Sequence, residues 1–156
     1  MSGVAKMIKR KSTPHLEVKG SSSLSGYIKV SGAKNSALVL MAASLLSAEK
    51  SRLNNIPKLT DIDLMQKILM EMGVKTKRIN TSLLLDPSGL INTSLPTELV
   101  HGLRASFFCI GPLLARLGEV QIPLPGGCQI GERPINQHIK GLKALGAKIE
   151  IQKDVI

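Results

Sequence analysis

The sequence predicts a mixed α/β fold, α+β in its element order, assembled from a repeated unit. Three observations carry that reading. Short strand-like stretches alternate with apolar segments of helical length. Glycines stand where helices should stop, and one strand–helix passage occurs twice. With 43% hydrophobic and 21% charged residues among 156, the chain can bury a core.

The elements follow in order. Residues 1–13 read as a tail, and residues 15–19 and 27–30 as two short strands around Gly20-Ser21-Ser22-Ser23. Ser31-Gly32-Ala33-Lys34-Asn35 then leads into 36–46, a helix apolar on every side and therefore expected to be buried all round. Residues 51–56 form a strand. Residues 60–72 form a helix, with Asp61 and Asp63 in its first turn and Gly73 as its stop. Residues 74–79 and 83–86 make a hairpin closed near Asn80-Thr81. Residues 96–117 are helical with a break at Gly111-Pro112. A strand at 119–122, a helix at 134–145 backed by Gly146, and a strand at 147–151 complete the chain.

The duplicated passage is 62–75 laid on 135–148, an offset of 73. Ile62 falls on Ile135, Lys67 on Lys140, Leu69 on Leu142, Gly73 on Gly146 and Lys75 on Lys148. Ile56-Pro57 precedes the first copy and Ile122-Pro123 the second, where the connection is seven residues longer and holds Gly126-Gly127-Cys128. A scaffold repeated for packing with a loop added in one copy is where chemistry is expected.

Composition excludes several classes. The longest apolar run, 37–46 with Ser44 inside it, is far short of the ~20 residues a membrane span needs. The basic N-terminal stretch has no apolar segment of a secretory signal. Two cysteines, Cys109 and Cys128, make neither a disulfide framework nor a four-ligand zinc site, which fits a reducing, cytoplasmic setting. The net charge of +10 asks for an anionic substrate or a polyanion. Tyr27, Phe107 and Phe108 are the only aromatic residues, too few for the stacking platform of a single-strand nucleic-acid binder.

The most informative stretch is Pro125-Gly126-Gly127-Cys128-Gln129-Ile130-Gly131-Glu132-Arg133-Pro134. Its glycines let backbone approach a ligand closely. A thiol there has a free pKa of about 8.5, which a nearby guanidinium would lower. Cys128 can thus act as nucleophile or, still protonated, as general acid. Arg133 precedes Pro134 at a helix opening, where backbone N–H groups favour an anion. The alternative is a Gly-rich turn with an idle cysteine.

Lys34 and Asn35 sit at another helix start, suited to a phosphate or carboxylate; the alternative is a capping turn whose lysine reaches water. Neither stretch is a Walker A loop or a GxGxxG fingerprint. Arg104 is a lone cation in an apolar run with no acid one helical turn away, so a distant carboxylate or a ligand must pair it. Cys109 in the same run reads as a core residue. His138 is either a surface histidine or a ring stacked on a base. His15 and His101 are too scattered for ligation, so neither a metal nor a cofactor is expected.

Together these segments resemble the UDP-N-acetylglucosamine 1-carboxyvinyltransferases. The matching residues are Ser31-Gly32-Ala33-Lys34-Asn35, Leu103-Arg104-Ala105-Ser106, Gly111-Pro112-Leu113-Leu114-Ala115-Arg116, the Gly-Gly-Cys stretch through Pro134, and the helix with His138 up to Gly146-Ala147. The likeness runs from about residue 15 to the end. It implies paired inside-out α/β barrels, each of three βαβαββ-type repeats with helices within and sheets outside. On that plan residues 14–31 are strands of the partner domain and residues 32–156 hold about two of three repeats. The chain is then an N-terminal fragment, inactive alone and poorly soluble or prone to associate. It would lack a carboxylate base and a late arginine that the family places further on.

The resemblance implies transfer of the enolpyruvyl group of phosphoenolpyruvate to the 3′-hydroxyl of UDP-N-acetylglucosamine, with release of phosphate, opening peptidoglycan precursor synthesis. Cys128 would be the proton donor and the target of fosfomycin-type epoxides. Lys34, Asn35 and Arg133 would hold phosphoenolpyruvate. Asn35, Arg104, Arg133, Pro134, Ile135, Asn136, Gln137 and His138 would meet the sugar nucleotide, His138 near the uracil. The family often has an acid where Asn136 stands, which makes the uracil contact less secure. Partners are the two small-molecule substrates, with no nucleic acid and no membrane. The rival readings are the related enolpyruvyl transferase of the shikimate pathway and a nonenzymatic basic nucleic-acid binder.

Overall fold

Two helices and a hairpin form the centre of the fold. The computed structural model describes residues 23, 25–124 and 134–156. The expected tail at 1–13, the strand at 15–19 and the loop with Cys128 and Arg133 lie outside the described residues. The first helix, α1 (Lys34–Ala43), begins just after Gly32, whose backbone passes so close to the Asn55 carbonyl that a Cβ would not fit. It tightens into a 3₁₀ turn, Ser44–Leu46, where the Ser44 hydroxyl donates to the Met41 carbonyl at 2.7 Å. Ala37, Leu38, Met41, Ala42 and Leu45 are buried, but Val39, Leu40 and Leu46 are exposed. Burial all round is therefore corrected to burial on one face.

Strand β1 (Ser51–Leu53) is shorter than expected, since the chain swings at Asn55 to a φ of 56°. Helix α2 (Thr60–Glu71) forms as its sequence predicts, with Asp61 and Asp63 in the first turn. Ile62, Met65, Ile68 and Leu69, spaced by three and four, make its fully buried stripe. Gly73 ends it at φ 97°, its N–H donating to the Met70 carbonyl at 2.9 Å while the Val74 N–H donates to Leu69 at 3.0 Å. This pair of bonds is a Schellman stop.

Strands β2 (Lys75–Ile79) and β3 (Ser82–Asp86) form the expected hairpin, turning through Asn80 at φ 53°. The antiparallel sheet has the order β1-β3-β2, with Leu53 opposite Leu83 and Lys77 opposite Leu84. Alternation turns Leu83 and Leu85 into the core, each such burial contributing roughly 1.5–3 kcal/mol. On β2 the inward positions are polar and meet α2. Gln66 donates to the Thr76 hydroxyl at 2.8 Å, and Arg78 reaches within 3.8 Å of Asp63.

The long helical region divides into α3 (Thr97–Gly102), a 3₁₀ stretch Arg104–Cys109 and α4 (Ile110–Leu117). Its break lies at Leu103, with φ −141° and ψ 99°, and not at Gly111-Pro112. Those two residues sit in the first turn of α4, where a missing N–H breaks no helical bond. Arg116, late in α4, donates to the carbonyls of Leu45 (3.2 Å), Ser47 (2.9 Å) and Pro87 (2.9 Å), tying this helix to the ends of α1 and β3.

Three expected strands are corrected. Residues 27–30 pair with nothing among the described residues, and Tyr27, Ile28 and Val30 are exposed; a strand needs a neighbour to take up its backbone groups. Residues 119–122 are reduced to single bridges, Gln121 parallel to Ser94 and Pro123 antiparallel to Val155. Residues 147–151 form no strand before the chain reverses across Gln152 and Val155, through Lys153 at φ 53°. Between these lies α5 (Asn136–Ala144), closed by Gly146 at φ 96°. The described residues thus form a mixed α/β arrangement with one open three-stranded sheet, and no barrel is seen among them. No helix of the described residues is long and apolar enough to cross a membrane.

Candidate functional site

The first turns of three helices border one cleft of about 450 Å³. Lys34 and Asn35 come from the opening of α1, Asp61 from the opening of α2, and Ile135 and His138 from the opening of α5. The fourth wall is the 102–108 stretch, where the Leu103 break turns Arg104 toward the same space. Leu38 and Val39, one helical turn beyond Lys34 and Asn35, supply an apolar floor with Phe107 and Phe108. A helix opening carries partial positive charge and N–H groups without intrahelical partners. Several such openings around two cations and one carboxylate make a cleft suited to a bound anion.

Within it the Lys34 ammonium lies 2.7 Å from Asp61 Oδ2. The His138 ring stands edge-on to Phe107, centroids 5.3 Å apart at an interplanar angle of 88°. Phe107 is buried, so this contact fixes the start of α5 against the 3₁₀ stretch. Arg104 is half-buried rather than enclosed.

Of the residues singled out in the sequence, Lys34, Asn35, Arg104, Ile135 and His138 meet at this cleft. Pro134, Asn136 and Gln137 are exposed on the approach to α5 and its first turn and do not line it. Cys128 and Arg133 lie outside the described residues. Cys109 belongs to the core as expected. Burial pushes its thiol up to about 12, so it stays protonated and is no nucleophile near neutral pH. Among the described residues no group of three His, Cys, Asp or Glu stands close enough to hold a metal ion.

Sequence reasoning missed Asp61 as part of the site, reading it only as a first-turn acid. It also missed Phe107 and Phe108, whose signal was available: they are the only phenylalanines and follow Arg104 within one turn.

Residues 18–156 match the family model described as EPSP synthase (3-phosphoshikimate 1-carboxyvinyltransferase). The chain belongs to the EPSP synthase family of carboxyvinyltransferases. Among its relatives is the UDP-N-acetylglucosamine 1-carboxyvinyltransferase of Prochlorococcus marinus strain NATL1A, 57% identical over all 156 residues, which cover 34% of that protein. The protein of the same description from strain CCMP1986 of P. marinus subsp. pastoris is 59% identical over 142 residues, 91% of this chain and 31% of its own length. The chain therefore spans about a third of the curated relatives it matches. The crystal structure of the enolpyruvyl transferase NikO from Streptomyces tendae superposes with a TM-score of 0.70. That match covers 84% of this chain and 28% of NikO at 21% identity, a likeness of fold.

Proposed function

We propose that this chain is the N-terminal part of a UDP-N-acetylglucosamine 1-carboxyvinyltransferase, within which it supplies one wall of the active site. The observation that carries this reading is the gathering of Lys34, Asn35, Arg104 and His138, from three separate stretches of sequence, around one anion-suited cleft. The relatives at 57% and 59% identity carry that description and favour it over the shikimate-pathway enzyme.

In this reading Lys34 and Arg133 hold the phosphate and carboxylate of phosphoenolpyruvate, the guanidinium by a two-pronged contact. Asn35, Arg104 and the 133–138 stretch hold the sugar nucleotide, with His138 beside the uracil. The Cys128 thiol gives its proton to the methylene carbon of phosphoenolpyruvate, and the neighbouring carbon gains positive character. The sugar 3′-oxygen attacks that carbon as its hydroxyl proton passes to the carboxylate base expected from the remainder of the full-length protein. Return of a proton from the former methyl group to the Cys128 thiolate and departure of phosphate then restore the carbon–carbon double bond, now on the sugar. The same thiolate can capture the cationic intermediate as an adduct. A cytoplasmic setting keeps that thiol reduced. Two inside-out barrels, with residues 32–156 as about two of the three repeats of one of them, complete the proposed architecture.

The test joins this chain to the remaining two-thirds of the P. marinus relative and follows phosphate release from phosphoenolpyruvate. Release should depend on UDP-N-acetylglucosamine and not on shikimate 3-phosphate; the reverse preference overturns the reading. Cys128→Ser should slow turnover roughly 100- to 10,000-fold, the range of a general acid.

A further inference from the structure

We propose that Asp61 is a positioning residue that holds Lys34 in the cleft and, in doing so, loosens its grip on the bound anion. The inference rests on the reading of the cleft as an anion site and deepens it. Asp61 Oδ2 lies 2.7 Å from the Lys34 ammonium, and both side chains line the same cavity. Lys34 opens α1 and Asp61 stands in the first turn of α2, so the ion pair also joins the two helix starts across the cleft.

A lysine side chain has four rotatable carbons and keeps to one position only when something holds its end. Asp61 does this from a rigid helix and gains from the positive end of that helix. The same carboxylate repels an incoming anion and takes one of the three N–H donors of the ammonium. The side chains are 48% and 38% exposed, so water competes with the pair and an anion can share the ammonium with Asp61. The neighbouring acid, Asp63, faces Arg78 at 3.8 Å and does not line the cleft. Asp61 is thus the one carboxylate among the described lining residues.

Damage to a merely structural residue weakens binding; removal of a competing carboxylate strengthens it. The test therefore reads the sign. Inorganic phosphate is titrated into the joined full-length enzyme described above and into its Asp61→Asn, Asp61→Glu, Lys34→Ala and Lys34→Ala/Asp61→Asn variants. Affinity is followed by ³¹P NMR, and far-UV circular dichroism compares folding. Asp61→Asn should bind phosphate about two- to fivefold more tightly, the scale of a half-exposed ion pair. Asp61→Glu should return to the parent affinity, and the double variant should lose the gain. Equal or weaker binding by Asp61→Asn overturns the role of Asp61. If Lys34→Ala binds as the parent does, or if the parent binds no phosphate, the anion-site reading fails and the inference with it. A drop with Lys34→Ala but no gain with Asp61→Asn leaves the site standing and removes Asp61 alone.

Discussion

The passage around α2 and the passage around α5 share a backbone at an offset of 73 and differ in what covers them. Gly73 and Gly146 stand at φ 97° and 96°. The Val74-to-Leu69 bond of the first stop recurs as Ala147 to Leu142, and Gly73-to-Met70 as Gly146 to Lys143. The likeness continues beyond the sequence match. Asn80 and Lys153 both have φ 53°, and the Ile79–Ser82 pair recurs at Gln152 and Val155. Yet α2 buries Ile62, Met65, Ile68 and Leu69, whereas no residue of α5 is buried. In the first copy the β2–β3 hairpin continues past its turn and packs on α2. Among the described residues of the second copy, no such hairpin packs on α5. Caps and turns are thus set by local chemistry, and burial by neighbours.

The largest effect should separate Leu69 from its counterpart Leu142. Leu69 is fully buried, and Leu69→Ala should cost about 2–5 kcal/mol through lost burial and the cavity left behind. Leu142 is only partly covered, so Leu142→Ala should cost less than ~1 kcal/mol. Urea unfolding of the two variants measures both. Equal costs would break the comparison, because α5 would then be as well packed as α2.

A second pair isolates one contact. Placing a Cβ in the left-handed region costs about 1–2 kcal/mol at either glycine stop. At Gly146 that Cβ meets open space, so Gly146→Ala should show this cost alone. At Gly73 it runs into the Gly89 carbonyl, so Gly73→Ala should be the more destabilising of the two. Melting temperatures of the two variants would show it, and a reversed order would count against the close Gly73–Gly89 approach.

What was legible in the sequence follows the same division. The α2 boundaries, both glycine stops and the Asn80 turn are written in residues close together in the chain. Each was readable because propensity, capping and periodicity agree there. Lys34, Asn35, Arg104 and His138 were readable as motifs, and the fold brings them to one cleft. The Lys34–Asp61 pair was not, since two helix starts far apart in sequence meet only when α1 packs on α2. Gly111-Pro112 misled because proline was weighed as a breaker when its place was a first turn. The strands at 27–30 and 147–151 misled for the converse reason: β-propensity takes effect only beside a partner.

The smallest effect concerns the two hairpin turns. Asn80 and Lys153 share a φ of 53°, a conformation that asparagine tolerates and lysine does not favour. Glycine removes the Cβ penalty but adds backbone entropy to the unfolded chain. At Lys153 relief should exceed that entropy, so Lys153→Gly should stabilise by about 0.5 kcal/mol. At Asn80 the two terms nearly cancel, and Asn80→Gly should leave the melting temperature almost unchanged. Should Lys153→Gly destabilise instead, the turn at 152–155 would not share the conformation of its counterpart, and the likeness of the two copies would end at the glycine stops.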